Sequence, residues 1–143
     1  MQQFLTMDDV DLNYKRVLIR EDFNVPIVNG IVQNDLRIRS ALPGIQQALN
    51  ANAQVRLMSH LGRPDAGKWL EEYSLQPVAN SLARLVGRPV KFVTDWYSTE
   101  DLSAFDLILY ENVRFLDGEL DNSVTLAKHM ASLCDIFVFD AFA

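Results

Sequence analysis

Short apolar runs recur along the chain, and the segments between them place their apolar residues at helical spacing. Five of these runs, rich in β-branched and aromatic residues, predict buried strands at residues 17–22, 55–59, 90–93, 107–110 and 136–140. Because the runs are mostly apolar rather than strictly alternating, they indicate strands that are covered on both faces, as in a parallel sheet.

Three helices are predicted between these strands. Their apolar faces carry Leu42, Ile45, Leu49 and Ala53 in the first, Val78, Leu82 and Leu85 in the second, and Leu126, Met130 and Leu133 in the third. Ser40 is the expected cap of the first helix, with Pro43 in its first turn, and Ser74 is the expected cap of the second. The third is expected to begin at Asn122 or Ser123. This alternation predicts a three-layer α/β domain with a mainly parallel sheet and helices on both faces.

Composition narrows the classes of function. The 143 residues carry a net charge of −6, which argues against a nucleic-acid partner, since such proteins show a basic footprint. No apolar run approaches the roughly 18 residues of a membrane span, so no membrane partner is expected. The N-terminal segment is acidic where a signal peptide is basic, and the single cysteine fits a reducing compartment. A cytoplasmic location is therefore expected.

The cysteine and the histidines offer little chemistry. Cys134 lies in an apolar stretch and is expected to be a buried small hydrophobic residue. His60 and His129 lie in different predicted elements without ligand spacing around them, so no metal site is expected.

Charge is distributed unevenly along the chain. Residues 1–100 hold eleven basic and eleven acidic side chains, whereas residues 101–143 hold two basic and eight acidic ones. Any chemistry on anions must therefore come from local basic clusters in the first two thirds, with Arg114 as a lone exception.

Polar residues follow four of the five predicted strands, at the edge where ligands of open parallel sheets bind. They are Asp22 and Asn24 after the first strand, His60 and Arg63 after the second, Glu111, Asn112 and Arg114 after the fourth, and Asp140 at the fifth. Arg37 and Arg39 precede the first predicted helix. Arginine forks suit bidentate binding of phosphate or carboxylate, so Arg37, Arg63 and Arg114 could converge on one small anion. The pattern predicts a site for a small phosphorylated acid.

Other interpretations remain open. Each arginine taken singly is more often solvated, residues 22–26 could be a simple turn, and His60 could be a structural histidine. Residues 62–68 have the spacing of a phosphate-binding loop. However, Trp69 stands where that loop needs a Ser or Thr hydroxyl, and Pro64 removes one backbone donor, so that interpretation is rejected.

Six ordered segments resemble signatures of the phosphoglycerate kinase family, and the bacterial form of the enzyme looks closest. They are KRVLIREDFNVP (15–26), RIRSALP (37–43), MSHLGRP (58–64), YSLQPV (73–78), ENVRF (111–115) and DAF (140–142). The resemblance implies a Rossmann-like N-terminal domain that binds 3-phosphoglycerate or 1,3-bisphosphoglycerate. Residues 1–143 are expected to form this domain incompletely. The C-terminal domain, with its Mg-ATP or Mg-ADP site, is expected to be absent from the chain.

The resemblance also implies the site residues. Those expected to bind the substrate are Asp22, Phe23, Asn24, Arg37, His60, Leu61, Gly62, Arg63 and Arg114. Arg63 and Arg114 are implied to grip the phosphate that is not transferred. Arg37 is implied as the catalytic residue, which stabilises charge on the moving phosphoryl group.

The implied reaction is reversible phosphoryl transfer between 1,3-bisphosphoglycerate and ADP, giving 3-phosphoglycerate and ATP in glycolysis. The full enzyme is expected to be a monomer, and the 143 residues are expected to be inactive alone. Two alternatives are a non-enzymatic module that binds phosphorylated acids and a structural fragment that self-associates through exposed apolar surface.

One residue departs from the family pattern inside the first segment. Glu21 stands beside Asp22, where the family usually has Val or Ala. Strand alternation points Glu21 away from Asp22, so little effect on the anion site is expected.

Overall fold

The computed structural model describes residues 6–119 and 123–141. In chain order its elements are β1 (Arg16–Arg20), β2 (Ile27–Val28), β3 (Ile31–Val32), α1 (Leu36–Asn50), β4 (Gln54–Met58), α2 (Gln76–Val86), β5 (Lys91–Val93), β6 (Leu107–Tyr110), α3 (Val124–Ser132) and β7 (Ile136–Phe139). Short 3-10 helices lie at Met7–Asp9, Glu71–Tyr73 and Val113–Phe115.

Five strands form one parallel sheet in the order β5–β6–β4–β1–β7. In the register of its centre, Val17 of β1 lies opposite Val55 of β4 on one side and Ile136 of β7 on the other. The sheet predicted from the apolar runs is confirmed, and each predicted strand lies within two residues of its observed ends. All five carboxyl ends point to one edge.

Alternate residues of the strands supply two apolar layers. Val17 and Ile19 pack with α1 and α2 in the larger buried cluster. Leu18 belongs to the second cluster, on the opposite face, against which Met130 of α3 packs. The expected helices on both faces are therefore present. Cys134, predicted to be a buried small hydrophobic residue, also packs against this second cluster but is only partly buried.

The first helix begins earlier than predicted. It starts at Leu36, because the side chain of Asn34 accepts a hydrogen bond from the Leu36 N–H at 2.9 Å. Ser40 therefore lies inside α1, where its hydroxyl donates to the Leu36 carbonyl at 2.9 Å, and Pro43 is in the middle of the helix. Ser40 is thus not a cap, and Arg37 is fixed on the first turn of α1 instead of preceding it.

The other two predicted helices begin close to the expected serines. Helix α2 starts two residues after Ser74, whose hydroxyl oxygen accepts the Gln76 N–H at 3.2 Å. Ser123 caps α3 by accepting the Leu126 N–H at 3.3 Å, as predicted, while Asn122 lies outside the described residues.

A hairpin formed by β2 and β3 was not predicted. Its turn is Asn29-Gly30, with both residues at positive φ (51° and 74°), which is the conformation of a tight hairpin turn. The Asn-Gly pair between two apolar dipeptides is the signal that identifies it. Ile27 and Val32 pack against the larger cluster, so the hairpin covers part of the core.

Strand β7 lies at an edge of the sheet and leaves apolar surface exposed. Phe137 and Phe139 are each about half exposed. This surface is of the kind that the expected self-association requires. Within the described part of the chain, no helix is both long and apolar enough to cross a membrane.

Candidate functional site

The loops that follow β1, β4 and β6 meet at the carboxyl edge of the sheet. Asn112, fully buried after β6, accepts the N–H groups of Leu61 (3.2 Å) and Arg114 (3.0 Å). Its amide N–H₂ donates to the carbonyls of Leu61 (2.7 Å) and Tyr73 (3.0 Å). One side chain thus ties the loop after β4 to the loop after β6.

The loop after β1 holds Arg37. The guanidinium Nη1 of Arg37 donates to Asp22 Oδ1 at 3.2 Å and to the carbonyl of Asn24 at 2.9 Å. The Asp22 carboxylate also accepts the Asn24 N–H at 3.1 Å. Among the described residues the other Arg37 donors make no hydrogen bond, and this side chain is about half exposed, so they can face a ligand.

Asn24 and Arg114 both bind the backbone of Gly62. The Asn24 side-chain oxygen accepts the Gly62 N–H at 2.9 Å, and Arg114 Nη1 donates to the Gly62 carbonyl at 3.0 Å. A continuous set of hydrogen bonds therefore runs from Arg37 through Asn24 and Gly62 to Arg114. This set joins side chains that the sequence placed on three separate loops.

Gly62→Ala is expected to lower the free energy of unfolding by about 2–3 kcal/mol, which urea denaturation would measure. Gly62 has φ of 61°, and an added Cβ would stand 2.5 Å from Cε1 of Tyr73. The matched control is Gly30→Ala, which has a similar φ of 74° but nothing within 4 Å, so it carries only the backbone penalty. Equal losses in the two variants would contradict the proposed clash.

Two of the implied substrate residues are buried. Phe23 has no exposed surface and its N–H donates to the Ser59 hydroxyl at 2.9 Å. Leu61 is also buried, and both of its backbone polar groups bind Asn112. Their side chains therefore support the loops from the core and offer no surface to a ligand, which differs from the role that the resemblance implies for Phe23.

Arg63 and His60 lie on the loop after β4. Arg63 is exposed, and among residues 6–119 and 123–141 no hydrogen bond or ion pair involves its guanidinium. Burial, together with the positive charges of Arg114 and Arg20, lowers the pKa of His60. His60 is therefore neutral at pH 7 and lies close to both arginines.

Sequence reasoning missed Arg20 and Glu119. Arg20 Nη2 donates to Glu119 Oε1 at 3.1 Å, and Glu119 Oε2 lies 3.8 Å from Arg114 Nε. Side chains alternate between the two faces of the sheet along β1, so Arg20 lies on the same face as Leu18 and opposite Ile19. This alternation is the sequence signal that could have identified Arg20. No sequence signal identified Glu119.

Glu21 is buried beside Asp140. It is 2% exposed, and its Oε1 atom has no hydrogen-bond partner in the described structure. Burial, and then a hydrogen bond and charge repulsion from Asp140, raise the pKa of Glu21 to about 9. The Asp140 carboxylate lies over α1, since a Cβ on Gly44 would stand 3.7 Å from its Oδ2. Glu21 and Asp140 therefore lie at the carboxyl end of the sheet, on the face that α1 covers.

A cavity of about 850 Å³ opens near the carboxyl edge of the sheet, but none of the arginines of the candidate site lines it. It is lined by Trp69, Phe92 and the carboxylates Glu71, Glu72 and Glu111, with no basic side chain. An anion would meet only negative charge there, so the exposed arginines are the better candidate site for one. Within the described ranges, no group of three residues suited to hold a metal ion is found.

Fold and site together define an α/β domain with a cluster of arginines at the carboxyl edge of a parallel sheet. A family model described as phosphoglycerate kinase matches residues 7–143. The chain belongs to the phosphoglycerate kinase family.

Individual relatives agree with this assignment. A phosphoglycerate kinase of Legionella pneumophila (strain Corby) is 50% identical over 138 residues, which are 96% of this chain and 35% of that protein. The structure of phosphoglycerate kinase from Coxiella burnetii matches with a TM-score of 0.87 at 49% identity, covering 97% of this chain and 35% of that one. The enzyme from Pyrococcus horikoshii OT3 matches with a TM-score of 0.85 at 25% identity, covering 98% and 37%. The chain therefore spans about a third of the length of the relatives it matches.

Proposed function

We propose that the chain supplies the 3-phosphoglycerate side of a phosphoglycerate kinase. The reaction is reversible phosphoryl transfer between 1,3-bisphosphoglycerate and ADP, giving 3-phosphoglycerate and ATP in glycolysis. The observation that carries the proposal is the hydrogen-bonded set from Arg37 through Asn24 and Gly62 to Arg114, beside the exposed Arg63. Arginines on several loops suit a substrate that carries both phosphate and carboxylate groups.

Each polar residue has a role in this proposal. Arg63 and Arg114 bind the phosphate that is not transferred. Arg37, held by Asp22, stabilises the negative charge on the phosphoryl group in transit, which is where such transfers gain most of their rate. His60 is neutral, so it contributes a hydrogen bond rather than a charge.

The nucleotide side of the reaction belongs to the C-terminal domain of the family. Mg-ATP or Mg-ADP is therefore the cofactor of the whole enzyme, and the 143 residues alone bind the phosphorylated acid without turning it over. The protein acts in the cytoplasm as part of a monomeric enzyme, and the single cysteine supports a reducing compartment. ATP formation from 1,3-bisphosphoglycerate and ADP by the purified 143 residues would refute the lack of turnover.

Arg63→Ala is expected to weaken 3-phosphoglycerate binding by about 10- to 100-fold, because the variant loses a pair of charge-assisted hydrogen bonds to the ligand. Because Arg63 has no partner in the described part of the chain, the substitution leaves the unfolding free energy unchanged. Isothermal titration calorimetry measures the affinity.

The matched control for this substitution is Arg88→Ala. Arg88 lies three residues before β5, at the amino-terminal edge of the sheet, and is 41% exposed, so its loss removes the same charge far from the site. Its 3.9 Å ion pair with Asp106 is exposed and contributes little to stability. Equal affinities for the wild type and Arg63→Ala would refute the proposed site.

A further inference from the structure

Glu119 places a carboxylate between two arginines at the carboxyl edge. Its Oε1 accepts a hydrogen bond from Arg20 Nη2 at 3.1 Å, and its Oε2 lies 3.8 Å from Arg114 Nε. The Glu119 side chain is only 10% exposed. Since Arg20 ends β1 and Arg114 follows β6, one internal anion faces two cations that come from different strands.

The contact with Arg114 is incomplete. Arg114 Nε and Glu119 Oε2 are both buried, and neither has a hydrogen-bond partner among the described residues. Their separation of 3.8 Å exceeds the roughly 2.7–3.2 Å of an N–H···O hydrogen bond. Glu119 therefore offsets the charge of Arg114 without occupying its Nε donor.

The backbone before Glu119 fixes this arrangement. Gly118 has φ of 92°, and a Cβ there would collide with Ser123, the cap of α3. The Ser123 N–H also donates to the Gly118 carbonyl at 2.9 Å. The start of α3 thus holds the residue next to Glu119, so the carboxylate is delivered by a defined turn.

We propose that Glu119 is an internal counter-ion that lowers the affinity of this arginine cluster for anions. The proposal rests on the proposed function, because it concerns the same cluster. A fixed negative charge 3–4 Å from two cations opposes any incoming phosphate or carboxylate. The repulsion grows with the charge of the ligand, so Glu119 weakens the binding of a phosphorylated acid at least as much as that of inorganic phosphate.

Glu119→Gln tests the role of the charge. Glutamine keeps the size of the side chain and still accepts from Arg20, but it removes the charge. We expect the variant to bind 3-phosphoglycerate about fivefold more tightly by calorimetry, with an equal or smaller gain for inorganic phosphate. A residue that only holds the arginines in place would give weaker binding when replaced.

Two further variants complete the test. Asp117→Asn removes the same charge from an exposed position two residues earlier, and we expect its affinities to stay within about twofold of the wild type. Glu119→Ala also removes the charge, and we expect it to tighten binding as well. A second readout is the pKa of His60 by NMR, which Glu119 raises and which should fall in Glu119→Gln but not in Asp117→Asn.

The outcomes separate this inference from the function on which it rests. Unchanged or weaker binding by the Glu119 variants, while Arg63→Ala still weakens binding, overturns the counter-ion role and leaves the proposed function standing. If neither the wild type nor the variants bind 3-phosphoglycerate, both proposals fall.

Discussion

Asn112→Ala is expected to lower the free energy of unfolding by about 3–5 kcal/mol, and urea denaturation is the measurement. The Asn112 side chain is fully buried and makes four hydrogen bonds, at 2.7–3.2 Å. Its removal leaves buried N–H and C=O groups of Leu61, together with the Arg114 N–H, without their partner. A buried polar group without a hydrogen-bond partner has lost its hydration and gains nothing in return, so its full desolvation free energy destabilises the fold.

The same substitution is expected to abolish 3-phosphoglycerate binding, although Asn112 itself contacts no ligand in the proposed site. The loops that carry Gly62 and Arg114 are joined through Asn112, so both lose their fixed positions. Hydrogen exchange of the Leu61 and Arg114 amides is expected to accelerate. Asn80→Ala, at an exposed position of α2, is the control and should change stability by less than about 0.5 kcal/mol. A loss as small as that of the control would contradict this role.

Asn112 illustrates which features of the site could be predicted from the sequence and which could not. The strands were predictable, because a strand covered on both faces must be apolar throughout, as in residues 107–110. The meeting of Asn24, Gly62 and Arg114 was predictable too, since carboxyl ends of parallel strands share an edge. Neither the apolar pattern nor the shared strand edge distinguishes a residue that contacts a ligand from one, such as Asn112, that holds the loops in position.

Two details depended on tertiary contacts instead. Phe23 belongs to a family signature but lies in the core, so a motif alone does not show which side chains reach the surface. Glu119 meets Arg20 across 99 positions of sequence, and no local pattern encodes such a pairing. The early start of α1 is instead a local feature: the side chain of Asn34, which precedes the N-cap residue Asp35, accepts the Leu36 N–H.

Glu21 carries the second large effect, a loss of stability as pH rises. The pKa of Glu21 is raised from its ordinary value of 4.5 to about 9 in the folded protein, whereas the unfolded chain keeps the ordinary value. The folded state therefore retains a proton that the unfolded state releases, so its contribution is complete below pH 4.5 and declines up to about pH 9. The decline is about 1.4 kcal/mol per pH unit where the two states differ by one proton.

The clearest measurement is the difference in unfolding free energy between the wild type and Glu21→Gln at each pH, because other titrating groups then cancel. Glutamine fills the same space and still donates to Asp140, but it does not ionise. We expect the wild type to lose about 3–4 kcal/mol relative to Glu21→Gln between pH 5.5 and 8.5. Glu72→Gln, at an exposed position, should give a flat difference. A flat difference for Glu21→Gln as well would mean that Glu21 ionises freely. Glu21 would then not be the buried neutral acid that joins the ends of β1 and β7.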